Sequence, residues 1–149
     1  MRPSHSWKKY FLPAVLIGAF VASGAAQQRM NDKDVEATMK NLNEDAKKFR
    51  KSFNSAVSKS TIRKTSQEKD AKALATRFEK DTEGMLKQFK STKKADTTLP
   101  VALSAADQLQ KTIDSTGISS QVSADWSKVQ ASLDKLSTEF NVPRPGARM

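Results

Sequence analysis

From residue 35 onward, apolar positions fall alternately four and three residues apart. Val35, Met39, Leu42, Ala46, Phe49, Phe53 and Ala56 keep this rhythm unbroken. It returns in Ala71, Ala75, Phe78, Thr82, Met85 and Phe89, widened by Leu74 and Leu86. A third run holds Leu99, Ala102, Ala106, Leu109 and Ile113, widened by Val101 and Leu103. A fourth holds Val122, Trp126, Val129, Leu133, Leu136 and Phe140. This is the period of helices packed side by side with a left-handed crossing, whereas strands alternate every second residue. The pattern predicts an all-α fold with helices over 32–59, 66–93, 99–115 and 120–141. Each helix is apolar on one stripe only, so none would stay folded alone. Short connections make neighbours antiparallel, giving a four-helix up-down-up-down bundle over 27–142. Trp126 sits on the seam, one heptad before Leu133 and two before Phe140. It is expected to fill the core, with its indole N–H seeking an acceptor.

Residues between the runs punctuate them accordingly. Asn31 is placed to cap the first helix, and Asp32, Asp34 and Glu36 complement its positive N-terminal end. Thr65-Ser66-Gln67-Glu68 has the spacing of a capping box. Thr98 is placed to cap the third helix, with Pro100 inside the first turn, and Gly117 to end it, with Ile118 folding back. Ser119 or Ser120 is placed to cap the fourth, and Pro143 to stop it. Residues 143–149, with little to pack, are expected to form a disordered tail. Glu36–Lys40, Glu44–Lys48 and Glu83–Lys87 have the acid-first order that favours exposed pairs.

The chain before residue 27 follows a different logic. Arg2, Lys8 and Lys9 precede an apolar stretch, Tyr10 to Ala22, and small residues follow at Ser23, Gly24, Ala25 and Ala26. This is the layout of a secretory signal peptide over 1–26, cleaved after Ala25 or Ala26, and it predicts export to the periplasm or medium. The alternative is an uncleaved N-terminal membrane anchor, for which Tyr10 to Ala26 is at the short limit of a bilayer-spanning helix.

Export bears on chemistry because His5 and Tyr10, the one histidine and the one tyrosine, both lie in that segment, and the chain has no cysteine. Beyond residue 26 there is no imidazole, thiol or phenol. Haem ligation, Glu-x-x-His di-iron sites, thiolate metal sites and histidine-activated nucleophiles are therefore excluded. The expectation is no cofactor, no metal or haem, and no enzyme activity. Carboxylate-only hydrolysis, which needs two acids facing across a cleft, is the one catalytic class left open.

Charge adds the only candidate site. Residues 1–26 hold three cations and no acid, so their removal lowers the formal net charge from +10 to +7. The excess gathers where the first helix turns into the second, at Lys51, Lys59, Arg63, Lys64, Lys69 and Lys72, with Lys47, Lys48 and Arg50 nearby. Clustered cations attract anionic polymers or membrane surfaces. The plainer reading is solubilising surface, since no aromatics interleave with the lysines to stack on bases.

The signal peptide, "FRKSF" at 49–53 and "DWSKVQASLDKLSTEFNV" at 125–142 together resemble a group of small exported helical-bundle proteins of soil bacteria. That resemblance implies export and a helical bundle, and carries over no catalytic or binding residue. The leading expectation is an exported, non-enzymatic bundle with a structural or interaction role at the bacterial cell envelope. Its partner would be an anionic polymer, a membrane surface or another envelope protein. The alternative is a dedicated binder of anionic polymers or membrane through the basic end.

Overall fold

A computed structural model describes residues 29–145. The expected signal segment, its anchor alternative and residues 146–149 lie outside the described residues. Four helices follow in order: α1 (Asp32–Val57), α2 (Ser66–Thr92), α3 (Thr98–Thr116) and α4 (Ser119–Glu139). They pack as an all-α bundle in which α1 lies against both α2 and α4, α2 lies against α3, and α3 meets α4 more sparsely.

The seam residues make the core. Every apolar residue of the first run is buried, as are Ala71, Ala75, Phe78, Met85 and Phe89 of the second. Cross-helix contacts fix the directions. Glu36 meets Lys90 and Lys93, Asn43 meets Thr82, Arg50 meets Glu79 and Ser58 meets Glu68, so α1 and α2 run antiparallel. Met30 meets Glu139 and Ser52 meets Asp125, so α1 and α4 do too.

Trp126 ties the helices together. Its ring centroid lies 4.6 Å from that of Phe49 on α1 and 6.3 Å from that of Phe78 on α2. Its Nε1–H donates to Gln110 Oε1 on α3 at 2.6 Å, and Gln130 Nε2 donates to the same oxygen at 3.0 Å. One side chain of α4 thus touches all three other helices, and its polar atom is satisfied. The aromatic fills the core.

Several local details differ from the sequence pattern. Val101 is 44% exposed and does not widen the third seam, while Val57, Ala95, Ala105 and Ile118 are buried. Asn43, off the apolar pattern, is also buried. Its Nδ2 donates to Thr82 Oγ1 at 3.0 Å and to the Glu79 carbonyl at 3.3 Å. A buried polar pair of this kind fits one register of α1 on α2, because sliding would strand both groups.

The helix ends also depart from it. Helix α1 stops at Val57, because Lys59, Ser60, Arg63 and Thr65 each donate their amide to the carbonyl three residues back and form tight turns. Asn31 caps α1 as its sequence position suggests, accepting from the Asp34 amide at 2.9 Å. The N-cap positions of α3 and α4 are Thr97 and Ile118, with no side-chain cap bond, in place of Thr98 and Ser119 or Ser120. Gly117 ends α3 at φ +69, in the left-handed region that glycine adopts without strain. Helix α4 ends before Pro143 acts. Asn141 turns left-handed at φ 52, and Val142 donates its amide to the Ser137 carbonyl at 2.9 Å in a Schellman closure. Just beyond, Arg144 pairs with Asp134.

Candidate functional site

The six candidate cations divide into a group of five and one apart. Lys59, Arg63 and Lys64 stand in the turns between α1 and α2, and Lys69 and Lys72 in the first two turns of α2. Lys64, Thr65, Ser66, Glu68, Lys69 and Lys72 line a surface dip of about 410 Å³ there. Lys51 lies seven residues before Ser58, hence about 10 Å along α1 from that end, on the exposed outer face.

Glu68 organises the dip. Its carboxylate accepts from the Lys72 ammonium at 2.7 Å, from the Lys64 amide at 2.5 Å and from Ser58 Oγ at 3.2 Å. The capping box suggested by Thr65 and Glu68 is therefore only half realised. Glu68 reaches back to the amide of Lys64, while Thr65 Oγ1 donates to the Ile62 carbonyl and makes no cap bond. Lys64 takes a left-handed φ of 65, which presents its amide to Glu68. Hydrogen bonds from the Lys72 side chain first, then from the Lys64 amide, hold the Glu68 carboxyl down to about 2. It is ionised at any ordinary pH and neutralises Lys72.

The other five cations keep their charge uncompensated. Among the described residues, Lys51, Lys59, Arg63, Lys64 and Lys69 have no carboxylate within 4.0 Å. The opposite end of the bundle mixes paired with unpaired cations, since Lys33 and Lys94 have no carboxylate within 4.0 Å either. There Lys90 and Lys93 both reach Glu36 at 3.9 Å, and Arg144 pairs with Asp134. Of the three acid-first pairs read from the sequence, Lys87–Glu83 forms at 3.0 Å. The Glu36–Lys40 and Glu44–Lys48 pairs do not form, and Glu36 turns instead toward α2. The capping-box spacing accounts for only part of what Glu68 does, although Glu68–Lys72 has the same acid-first, four-residue spacing as the other pairs.

Two further grooves lie on the described surface. The larger, about 840 Å³, runs beside the basic turn between α2 and the end of α3. Ile62, Ala71 and Leu74 give it an apolar part, Thr61, Thr112 and Thr116 supply hydroxyls, and Asp70 is its one acid. Nothing in the periodicity pointed to it. A second groove of about 410 Å³, between α3 and α4, is lined by two acids, Asp107 and Asp134. Asp107 is paired with Lys111 at 2.9 Å and Asp134 with Arg144. Among the described residues, no group of three or more acids or other ligating side chains could share a metal ion, and no helix is long and apolar enough to cross a membrane.

No family model, curated protein or solved structure matches this chain. Function is therefore argued from the geometry.

Proposed function

We propose that the protein is an exported, non-catalytic bundle of up-down-up-down connectivity. Its role at the cell envelope is interaction, and anionic polymers are the partners that its basic end takes. Export rests on the residue order of the N-terminal segment. The non-catalytic reading rests on the lack of imidazole, thiol and phenol beyond residue 26. One observation carries the choice of partner. Lys59, Arg63, Lys64 and Lys69 at the α1–α2 end stand without a carboxylate within 4.0 Å, as does Lys51 on the adjoining face of α1, while at the opposite end Lys90, Lys93 and Arg144 are paired and Lys33 and Lys94 are not. Uncompensated cations fixed on a folded frame sum their fields and release counterions from a bound polyanion.

Charge reversal at the turn tests this reading. Arg63→Glu with Lys64→Glu should lower the salt concentration at which the protein leaves a heparin column, with the melting curve unchanged, because both side chains are exposed. Elution at the parent's salt concentration would remove the polyanion partner and leave an interaction bundle with another kind of ligand.

A further inference from the structure

The outer face of α1 carries a run of cations without ion pairs. At 100° per residue, Lys33, Lys40, Lys47 and Lys51 fall within an arc of about 40°, opposite Val35, Leu42, Ala46 and Phe53 of the core. Lys48 flanks this line, and the acids Glu44 and Glu36 lie at its two edges, Glu36 being turned toward Lys90 and Lys93 of α2. The five lysines and Glu44 are exposed, and among the described residues none of these six is in an ion pair, although the Glu83 carboxyl of α2 is held down by Lys87 first and by the charge of Lys47 as well. The line spans 18 residue steps from Lys33 to Lys51, about 27 Å at 1.5 Å per residue. It then leads through Ser58 to Lys59, Arg63 and Lys64. The other helices offer no equivalent. Exposed positions of α3 and α4 are mostly serine, alanine, threonine and glutamine, and α2 alternates its cations with Asp70, Asp81 and Glu83.

We propose that this lysine line is a track for a flexible linear polyanion bearing closely spaced phosphate or sulfate groups, laid along α1 and held at the basic turn. The proposal rests on the polyanion reading above and extends it from a local patch to an elongated site. Three observations choose the ligand class. The charges lie in a line, which suits a chain; a compact anion would touch only one or two of them. The phenylalanines of the bundle and Trp126 point into the core or, for Phe140, lie half-buried. The track therefore has no ring on which a base could stack, and the polymer is held through its charged groups alone. The one exposed large apolar side chain among the described residues, Val101, lies on α3, so the track has nothing to insert into a bilayer.

Binding of long-chain inorganic polyphosphate, followed against salt concentration, is the test. Three proteins are compared: the parent, Lys40→Glu with Lys47→Glu on the track, and Arg63→Glu with Lys64→Glu at the turn. Each phosphate contact contributes about 0.7 to 0.9 to the slope of log affinity on log salt. Both double variants should flatten that slope by roughly 1.4 to 1.8 and bind less tightly at low salt, with parental melting curves. Tripolyphosphate, too short to span the line, should bind weakly to all three proteins and show little difference between parent and track variant. A track variant that binds like the parent while the turn variant weakens would overturn the track and leave the turn reading standing. If neither variant weakens, both readings fall. Heparin in place of polyphosphate separates a sulfated polysaccharide from a polyphosphate source, and both should obey the same track. Tighter binding to single-stranded DNA, or to vesicles of phosphatidylglycerol and phosphatidylcholine, than to either polymer would contradict the assigned ligand class.

Discussion

Helix α1 has two faces that obey different rules. Its inner face holds Met39, Leu42, Phe49 and Phe53, all at 0% exposure. Its outer face holds Lys33, Lys40, Lys47 and Lys51, all exposed. Packing constrains the inner face tightly, because a lost methylene leaves a gap and an added one forces a clash. The outer face has no such constraint, since a solvated position folds equally well with either sign of charge. A line of one sign there is not required by the bundle. The difference teaches how to separate stability from function: substitutions inside should move the melting curve, and substitutions outside should move only binding.

The largest expected effect is on the inner face. Phe53→Ala should cost about 3–5 kcal/mol in denaturant melts, with Leu133→Ala on α4 costing about 2–5 kcal/mol, as each vacates a fully buried site. Next comes Gly84, which is exposed in the middle of α2, and a Cβ there would meet nothing within 4 Å. Gly84→Ala should therefore raise stability by about 1 kcal/mol, a gain set by helix propensity alone. A loss would mean that a Cβ at this position meets a contact that the open surface does not show.

Glu68 gives a pH-dependent effect. Its carboxyl falls from 4.5 to about 2 on folding, so the folded state binds its proton less readily than the unfolded chain. The resulting stabilisation is fully present above about pH 4.5 and disappears as pH falls toward 2. Glu68→Gln should thus melt earlier than the parent at neutral pH, with the gap closing across that window. A gap independent of pH would mean that the loss comes from shape, with no contribution from the charge. The smallest effect should be at Lys51: Lys51→Ala is expected to shift stability by no more than about 0.5 kcal/mol. A cost like that of Phe53 would mean that the two faces of α1 have been exchanged.

The legibility of the fold follows the same division. The seams of α1, α2 and α4 could be read directly because burial imposes a period that survives any choice of surface residue. Asn43 escaped notice since its burial depends on Thr82, a partner 39 residues away that periodicity on one helix does not reveal. Val101 misled because an apolar residue beside a seam reads as part of it, whereas α3 turns this one to solvent. Helix ends were harder still. The left-handed backbone at Asn141 ends α4 ahead of Pro143, and tight turns end α1 at Val57, two residues short of the expected 59. For the candidate site, sequence gave the cluster of cations but not its compensation. Which lysines remain uncompensated depends on where Glu36 and Glu68 reach across space.

The central claim is that fixed, uncompensated cations hold an anionic polymer, and the salt dependence of the parent protein tests it most directly. With five or more cations engaged, log affinity for polyphosphate plotted on log salt should be linear, with a slope of about −3.5 or steeper. Such a slope would mean that several counterions are released together. A slope near zero, or no measurable binding at low salt, would contradict the account and return the lysines of α1 and its turn to ordinary solvated surface.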